Sequence, residues 1–259
     1  MSKTLVVHPQ QDTITKADVE NLIASFHTLE GGINKRNVIK VTQVKNIPLN
    51  IKSFKVPHLI NKIAYGFFRD SKAKRSFYYA QKLLDKDVKT PEPIAFIENR
   101  KGGLLYDSYY VSKHLSYDFT IRELVDDNNF PNYEAIMREF TRFTFSLHEK
   151  GINFLDHSPG NTLIIKKDVG HDFYLVDLNR MNFETMGFHK RMKNFARLSP
   201  KNAMLELLCD EYAKHYTSQS KEKIKQVMYY YSHKFSSSFK RRERFKEKYF
   251  FWRKKRKKA

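Results

Sequence analysis

An aspartate and an asparagine lie five positions apart, and a second aspartate follows sixteen positions later. Asp156 and Asn161 lie in a loop-like stretch after a long helical pattern, and the apolar run 173–176 leads to Asp177. Two carboxylates and an amide on successive loops are typical of phosphotransferases that use a metal ion and a nucleotide. In such a site Asp156 accepts the proton of the attacking hydroxyl, while Asn161 and Asp177 bind Mg²⁺.

The residues before this loop predict a long helix, because their spacing of three and four positions matches one helix face. They are Ile136, Met137, Phe140, Phe143, Thr144 and Leu147. The pattern ends at Lys150, and Gly151 follows in the position where glycine commonly terminates a helix. We interpret the aromatic stripe as core packing, so the end of this helix fixes where the loop begins.

The N-terminal half predicts two β-hairpins from alternating runs separated by turn residues. The other elements have helical spacing, except for a lead-in that we expect to be loose. The predicted hairpins are 38–44 with 49–55 and 94–98 with 104–111; the predicted helices are 73–87, 119–125, 203–217 and 221–234; and the lead-in is 1–15. Residues 18–26 form either a short helix or the approach to a first strand. This order predicts an α+β protein.

The two loops carry a resemblance to a known family. Residues 154–161, Phe-Leu-Asp-His-Ser-Pro-Gly-Asn, and residues 175–181, Leu-Val-Asp-Leu-Asn-Arg-Met, resemble the lipopolysaccharide core (Kdo/heptose) kinases of the protein-kinase-like superfamily. The similarity covers roughly residues 28–200. It implies a two-lobed fold with a small antiparallel sheet and one main helix in the N-lobe, and a mostly helical C-lobe. The implied organisation is a lead-in at 1–27, an N-lobe at 28–112, a C-lobe at 113–238 and a basic aromatic tail at 239–259.

The resemblance also implies the residues that bind ATP. Lys52, on the strand after the first hairpin turn, would contact the α- and β-phosphates, with Lys55 as the alternative. Gly31 and Gly32 would fold backbone N–H groups over the phosphates, although two adjacent glycines also form ordinary turns. Residues 112–115, with Ser112 and His114, would be the hinge that bonds adenine; an ordinary strand end fits them equally well.

Three positions depart from the pattern of the family's superfamily. The helix at 73–87 has no acidic residue in its middle, where a kinase places the glutamate that pairs the strand lysine. Either Lys52 is held differently, or the enzyme is weakened or inactive. Phe154 replaces a histidine, so packing must brace the loop, and Asn179 replaces a glycine, which is tolerable because asparagine adopts left-handed backbone more readily than most residues.

The net charge of +20 is concentrated at the C-terminus, where the last twenty residues hold twelve lysines and arginines against two glutamates. Aromatic residues interleave these cations, and this pattern favours an anionic membrane surface. A nucleic acid attracts the same cations and a solvated tail is the simplest reading; we expect the membrane, because it suits a glycolipid acceptor. A signal peptide and an apolar run of eighteen residues are both missing, which predicts a cytoplasmic protein at the inner face of the inner membrane.

Other residue types exclude further kinds of site. Cys209 is the single cysteine, so an internal disulfide is excluded and a small buried side chain is expected. The ten histidines show no zinc-binding spacing, and His157 beside Asp156 needs no catalytic role. The sequence thus predicts an ATP- and Mg²⁺-dependent kinase of an inner-core Kdo or heptose sugar. The alternatives are a non-catalytic kinase-like nucleotide-binding protein and a kinase with a protein or small-molecule acceptor.

Overall fold

The computed structural model describes residues 2–30, 37–54 and 69–249. Gly31, Gly32 and Lys55 lie outside the described residues, as does most of the basic and aromatic segment 56–72. The chain divides into two compact units. The first is Met1–Tyr117 with Tyr174–Arg180, and the second is Asp118–Phe173 with Met181–Ala259.

The first unit is built on an antiparallel sheet in the order β1-β4-β5-β3-β2. Its elements in chain order are β1 (Ser2–Val7), α1 (Lys16–Ala24), β2 (Asn37–Val44), β3 (Ile47–Phe54), α2 (Lys72–Leu84), β4 (Pro93–Lys101) and β5 (Leu104–Lys113). Both predicted hairpins are confirmed. The turn of the first, Lys45-Asn46, has positive φ at both residues, and this is the backbone that a two-residue hairpin turn requires.

The sheet alternates between a core face and a face that carries polar residues. Leu49 and Ile51 of β3 are fully buried in the core that β3 shares with α1, while Asn50 and Lys52 point to the other face. On that other face Phe77 of α2 packs against Phe96 with ring centroids 5.3 Å apart. The core therefore fixes which β3 side chains are available for function.

The prediction of a loose lead-in was wrong for the first residues of that segment. β1 pairs with β4 from Ser2–Arg100 to Val7–Ala95 and forms an edge of the sheet. The strand's first half is exposed and its second half only partly buried, so its sequence lacks the alternation that marks a strand. Backbone pairing, rather than side-chain burial, holds these residues.

The second unit is mostly helical. Its elements are β6 (Phe119–Thr120), α3 (Ile121–Asp126), α4 (Tyr133–Glu149), β7 (Ile152–Phe154), β8 (Thr162–Lys166), β9 (His171–Leu175, which ends in the first unit), β10 (Met181–Phe183), α5 (Phe188–Phe195), α6 (Asn202–His215) and α7 (Lys221–Tyr249), with 3₁₀ turns at Pro159–Asn161 and Ala196–Leu198. The predicted stripe on α4 lies in the core with α6 and α7. Cys209 is also buried there, and burial raises its thiol pKa to about 12, as expected of a packing residue.

Two chain ends in this unit bear on the predictions. Gly151 follows α4 with φ +69°, a backbone that favours glycine, and a Cβ there would lie 3.1 Å from the carbonyl oxygen of Glu184, the residue after β10. The last helix is longer than predicted, because α7 continues through residues 236–238 to Tyr249. The basic segment that we expected to be a tail from residue 239 is therefore helical over 239–249. In the described ranges no helix is both long and apolar enough to cross a membrane.

Candidate active site

Lys52 and Asp177 meet in the first unit. The Lys52 Nζ donates to Asp177 Oδ1 over 2.7 Å, and the two side chains are 14% and 31% exposed. Lys52 lies in the middle of β3, between Ile39 on β2 and Tyr110 on β5, so the sheet fixes its position. The pair lies at a small pocket of about 80 Å³. The pocket is lined by Asn50, Lys52, Thr90, Pro91, Tyr110, Ser112, Lys113, Leu115, Val176, Asp177 and Leu178.

Asp177 itself adopts the left-handed backbone that we expected at Asn179. Its φ is +58°, whereas Asn179 has no positive φ and instead donates from Nδ2 to Asp177 Oδ1 over 2.5 Å. The prediction that Asn179 uses left-handed backbone was therefore wrong. A non-glycine residue with positive φ stores strain, and such residues cluster at functional sites.

Neighbouring residues hold the segment that carries Asp177. Leu175 donates its backbone N–H to the Lys89 carbonyl over 3.0 Å and accepts from the Thr90 hydroxyl over 2.8 Å. Downstream, the buried Arg75 of α2 donates from Nη1 to the Asn179 carbonyl over 2.7 Å. Both sides of Asp177 are thus fixed to the same unit.

The missing helix glutamate does not leave Lys52 without a carboxylate. The α2 segment has no acidic residue, as the sequence indicated, and Asp177 itself pairs with Lys52 instead. The first of our two alternatives, that Lys52 is held differently, is the one that the structure has. No local sequence pattern indicates this pair, since its partners are 125 residues apart.

Asp177 also has cationic neighbours besides Lys52. Burial and the nearby Arg180 lower the pKa of Lys72, whereas Asp177 acts in the opposite direction. Lys72 begins α2 and was not singled out from the sequence. A group of cations about one carboxylate suits a ligand that carries several negative charges.

Asp156 and Asn161 meet in the second unit. The Asn161 Nδ2 donates to the Asp156 carbonyl over 2.8 Å, and the Ser158 N–H donates to the same oxygen over 2.7 Å. The Asp156 side chain is 17% exposed, and its Oδ1 accepts a hydrogen bond from Arg197 Nη2. Arg197, in the 3₁₀ turn after α5, was also not predicted.

Packing braces this loop as expected. Phe154 is 1% exposed, and its ring lies 5.6 Å from that of the fully buried His157. Asn194 of α5 accepts from His157 Nδ1 over 2.9 Å and donates to the Phe154 carbonyl over 2.9 Å, with the histidine proton assigned to Nδ1. Burial lowers the pKa of His157 to about 4, so the ring is neutral and its role is to support the loop.

The two predicted hinge residues lie in different surroundings. Ser112 is buried and lines the pocket that contains Lys52. The His114 backbone N–H donates to the Pro48 carbonyl over 2.8 Å, so this donor is used within the sheet. Binding of adenine by these two residues stays a prediction.

Asn161 in the second unit and Asp177 in the first unit each have an oxygen atom of the kind that the predicted Mg²⁺ would need. Oxygen is the ligand that Mg²⁺ prefers. The Asn161 amide nitrogen donates to the Asp156 carbonyl, which leaves the amide oxygen as a metal donor, and the Asp177 side chain is 31% exposed. Across the described residues, no group of three or more His, Cys, Asp or Glu side chains is arranged to hold a metal ion.

Comparisons with known proteins agree with this chemistry. No curated protein matches the chain. Among solved structures, one described as WaaP in complex with acyl carrier protein matches with a TM-score of 0.60 and 14% sequence identity, over 90% of this chain and 98% of that chain. This likeness confirms the predicted protein-kinase-like fold. The model of the lipopolysaccharide kinase (Kdo/WaaP) family matches residues 52–231. The chain therefore belongs to the lipopolysaccharide kinase (Kdo/WaaP) family and is a phosphotransferase that acts on sugar hydroxyls.

Proposed function

We propose that this protein transfers the γ-phosphate of ATP to a hydroxyl of a Kdo or heptose sugar in the lipopolysaccharide inner core. The observation that carries this proposal is the 2.7 Å contact between Lys52 and Asp177 beside a pocket of the first unit. A lysine fixed by a sheet and a strained aspartate after a β-strand are the parts that hold a nucleotide and its metal in kinase-like enzymes. The family match supports a core sugar as the acceptor.

Each predicted residue then has a definite role. Lys52 contacts the α- and β-phosphates, so that its ammonium group pairs with the nucleotide instead of with Asp177. Asn161 and Asp177 are the side chains that would hold Mg²⁺, which offsets the charge of the transferred phosphate. Asp156 accepts the proton of the attacking hydroxyl. Gly31 and Gly32 remain candidates for covering the phosphates, and Ser112 and His114 for binding adenine.

A non-catalytic nucleotide-binding protein is the reading that the missing helix glutamate suggested. The Lys52–Asp177 pair weakens that reading, since it keeps the lysine ordered without the glutamate. The bracing of Asp156 and Asn161 within one loop also favours catalysis. A nucleotide-binding protein without transfer would not need Asp156.

We further propose that the enzyme works on an anionic membrane surface at the cytoplasmic face of the inner membrane, and we do not expect it to bind nucleic acid. The end of α7 carries three aromatic side chains that are about half exposed, Phe239, Phe245 and Tyr249. A lysine or arginine is adjacent to each of the three in the sequence. Aromatic rings enter the headgroup layer while neighbouring cations bind anionic lipid, each contributing on the order of 1 kcal/mol.

Transfer of ³²P from γ-labelled ATP to a panel of inner-core oligosaccharides tests the function. We expect Mg²⁺-dependent labelling of a Kdo- or heptose-containing acceptor, removed by EDTA and restored by Mg²⁺. A protein acceptor and a free monosaccharide belong in the same panel, because they represent the other acceptor classes. Mg²⁺-dependent ATP binding without labelling of any acceptor would establish the non-catalytic alternative instead.

A further inference from the structure

A cavity of about 620 Å³ lies beside the catalytic loop in the second unit. Its walls come from β7 and the start of the loop, β10, α5 with the following 3₁₀ turn, and α7. The lining residues are Asn153, Phe154, Leu155, Asn182, Glu184, Lys190, Lys193, Asn194, Ala196, Arg197, Tyr231, Lys234, Phe235 and Ser238. Leu155, directly before Asp156, is 43% exposed. The volume is that of a typical small-molecule site.

The chemistry of the lining suits an anionic sugar. Lys190, Lys193, Arg197 and Lys234 are cationic, and Glu184 is the one acid among the described residues that line the cavity. Its charge is matched, since Lys190 Nζ lies 2.6 Å from its carboxylate. The remaining cations leave a positive cavity. Three asparagine amides and three aromatic rings also line the cavity, and groups of these kinds bind sugar hydroxyls and sugar faces.

Arg197 connects this cavity to Asp156. Its Nη2 donates to Asp156 Oδ1, and its guanidinium lies 5.7 Å from the centre of the Phe235 ring in the cavity wall. Its Nε is buried and has no hydrogen-bond partner among the described residues. A buried donor without a partner is costly, so Arg197 holds bonding capacity that the protein itself does not satisfy. Guanidinium binds carboxylate and phosphate through two parallel hydrogen bonds, which would use that capacity.

We propose that this cavity is the acceptor site, that it takes a sugar bearing a carboxylate or a phosphate, and that Arg197 moves from Asp156 to that anion when the acceptor binds. This inference rests on the proposed function. Without acceptor, the positive guanidinium occupies the oxygen that must accept the proton. With acceptor bound, the anion takes Arg197 and exposes Asp156 Oδ1 to the acceptor hydroxyl.

In the transfer step, the bond that forms is matched by a bond that breaks. The acceptor oxygen forms a bond to the γ-phosphorus as the bond from that phosphorus to the β,γ-bridging oxygen breaks, and ADP leaves with the electron pair. The hydroxyl proton goes to Asp156. Arg197 touches the acceptor's anion rather than the reacting atoms, so it selects the acceptor and controls access to the base.

Binding measured without ATP separates this inference from the proposed function. Calorimetry compares two matched pairs of ligands: the sugar acid Kdo with its methyl ester, and heptose phosphate with heptose. Asp156→Asn removes the charge that competes for Arg197, and we expect it to tighten binding of both anions roughly threefold to tenfold without changing the neutral ligands. Arg197→Gln should weaken binding of the anions roughly tenfold or more. The first pair reports a carboxylate and the second a phosphate.

Arg142→Gln is the matched control, because Arg142 is also paired with a carboxylate in this unit but does not line the cavity. It should bind all four ligands as the parent protein does. Three results would overturn the inference: the parent protein binds neither anion, Asp156→Asn leaves anion binding unchanged or weakens it, or Arg197→Gln affects charged and neutral ligands equally. The Asp156→Asn result stands even if Arg197→Gln fails to fold. Failure of the proposed function is a different observation, namely no transfer of phosphate to any inner-core acceptor.

Discussion

Each of the two candidate catalytic aspartates is paired with a cation, but the two pairs are built differently. Lys52 comes from the middle of a sheet, and its single charge lies 2.7 Å from Asp177. Arg197 comes from a single 3₁₀ turn, and its guanidinium contacts Asp156 while its Nε is buried among the described residues without a partner. A point charge held in one place suits the phosphates of a nucleotide, which is the same in every reaction cycle. An arginine with an unused N–H donor suits a second anion. We therefore propose that the Lys52–Asp177 pair binds the nucleotide and that the Arg197–Asp156 pair controls access of the acceptor.

The largest expected effects come from removing the two aspartates separately. Asp156→Ala should lower kcat roughly 10²- to 10⁴-fold, the usual contribution of a general base, with the affinity for ATP and Mg²⁺ retained. Asp177→Ala should instead abolish Mg²⁺-dependent ATP binding. Steady-state kinetics with a core oligosaccharide, together with calorimetric titration of ATP, measure both effects.

Asp168→Ala serves as the control for this comparison, because Asp168 is an exposed carboxylate in the turn between β8 and β9. It should behave as the parent protein does. Parent-level transfer by both active-site variants would falsify the site assignment. If both variants lost ATP binding to the same degree, the assignment of separate roles to the two pairs would be wrong. The assignment of both aspartates to the active site would still hold.

The unequal predictability of the two pairs has a physical reason. The family resemblance implies Lys52 and Asp177 as site residues, and the hairpin that carries Lys52 follows from strand alternation, which is a local property of the sequence. Their mutual contact and that of Arg197 with Asp156 depend on packing between segments 125 and 41 residues apart. Long-range pairs of this kind leave no periodic pattern. The contact between Arg197 and Asp156 can be identified only when the packing of α5 is known.

The elements that the sequence missed share a different reason. β1 lies at a sheet edge, and its exposed half gives no hydrophobic alternation. At the end of α7 the sequence predicts a tail, because three serines at 236–238 interrupt the apolar pattern. Serine is only mildly unfavourable in a helix, and the flanking lysines, arginines and glutamates are good helix formers. The helix therefore continues to Tyr249.

Acid should expose a second difference between the regions, since two buried neutral histidines lie beside the Asp156 loop. Burial lowers the pKa of His148 to about 3 and that of His157 to about 4. A lowered pKa means that the unfolded chain binds protons first, so stability is complete above pH 6.5 and is lost as the pH falls from 6.5 towards 4. Each histidine should lower the free energy of unfolding by about 2 kcal/mol as the pH falls from 6.5 to 5.

Urea denaturation at several pH values measures this loss. His157→Gln should make the decline shallower over this interval, because the glutamine amide can replace the bond to Asn194 without titrating. His233→Gln, at an exposed position of α7, should keep the parent slope. An unchanged slope in His157→Gln would mean that this ring does not control the acid sensitivity of the loop.

The smallest expected effect concerns how the acceptor reaches the unit that contains Arg197. Phe245 and Tyr249, with ring centroids 4.6 Å apart, continue at helical spacing the face of α7 that lines the cavity through Phe235 and Ser238. Replacing both aromatic residues with serine should weaken binding to anionic vesicles roughly tenfold, because their apolar area no longer enters the headgroup layer. Sedimentation with vesicles of mixed anionic and neutral phospholipid measures this, and Val169→Ser, which removes a fully exposed apolar side chain from a turn, should leave binding unchanged. If the double variant keeps full vesicle binding but loses activity on lipid-linked acceptor, α7 guides the acceptor rather than anchoring the enzyme. Loss of both binding and lipid-linked activity, with activity on free oligosaccharide retained, supports one continuous surface from the membrane to the cavity.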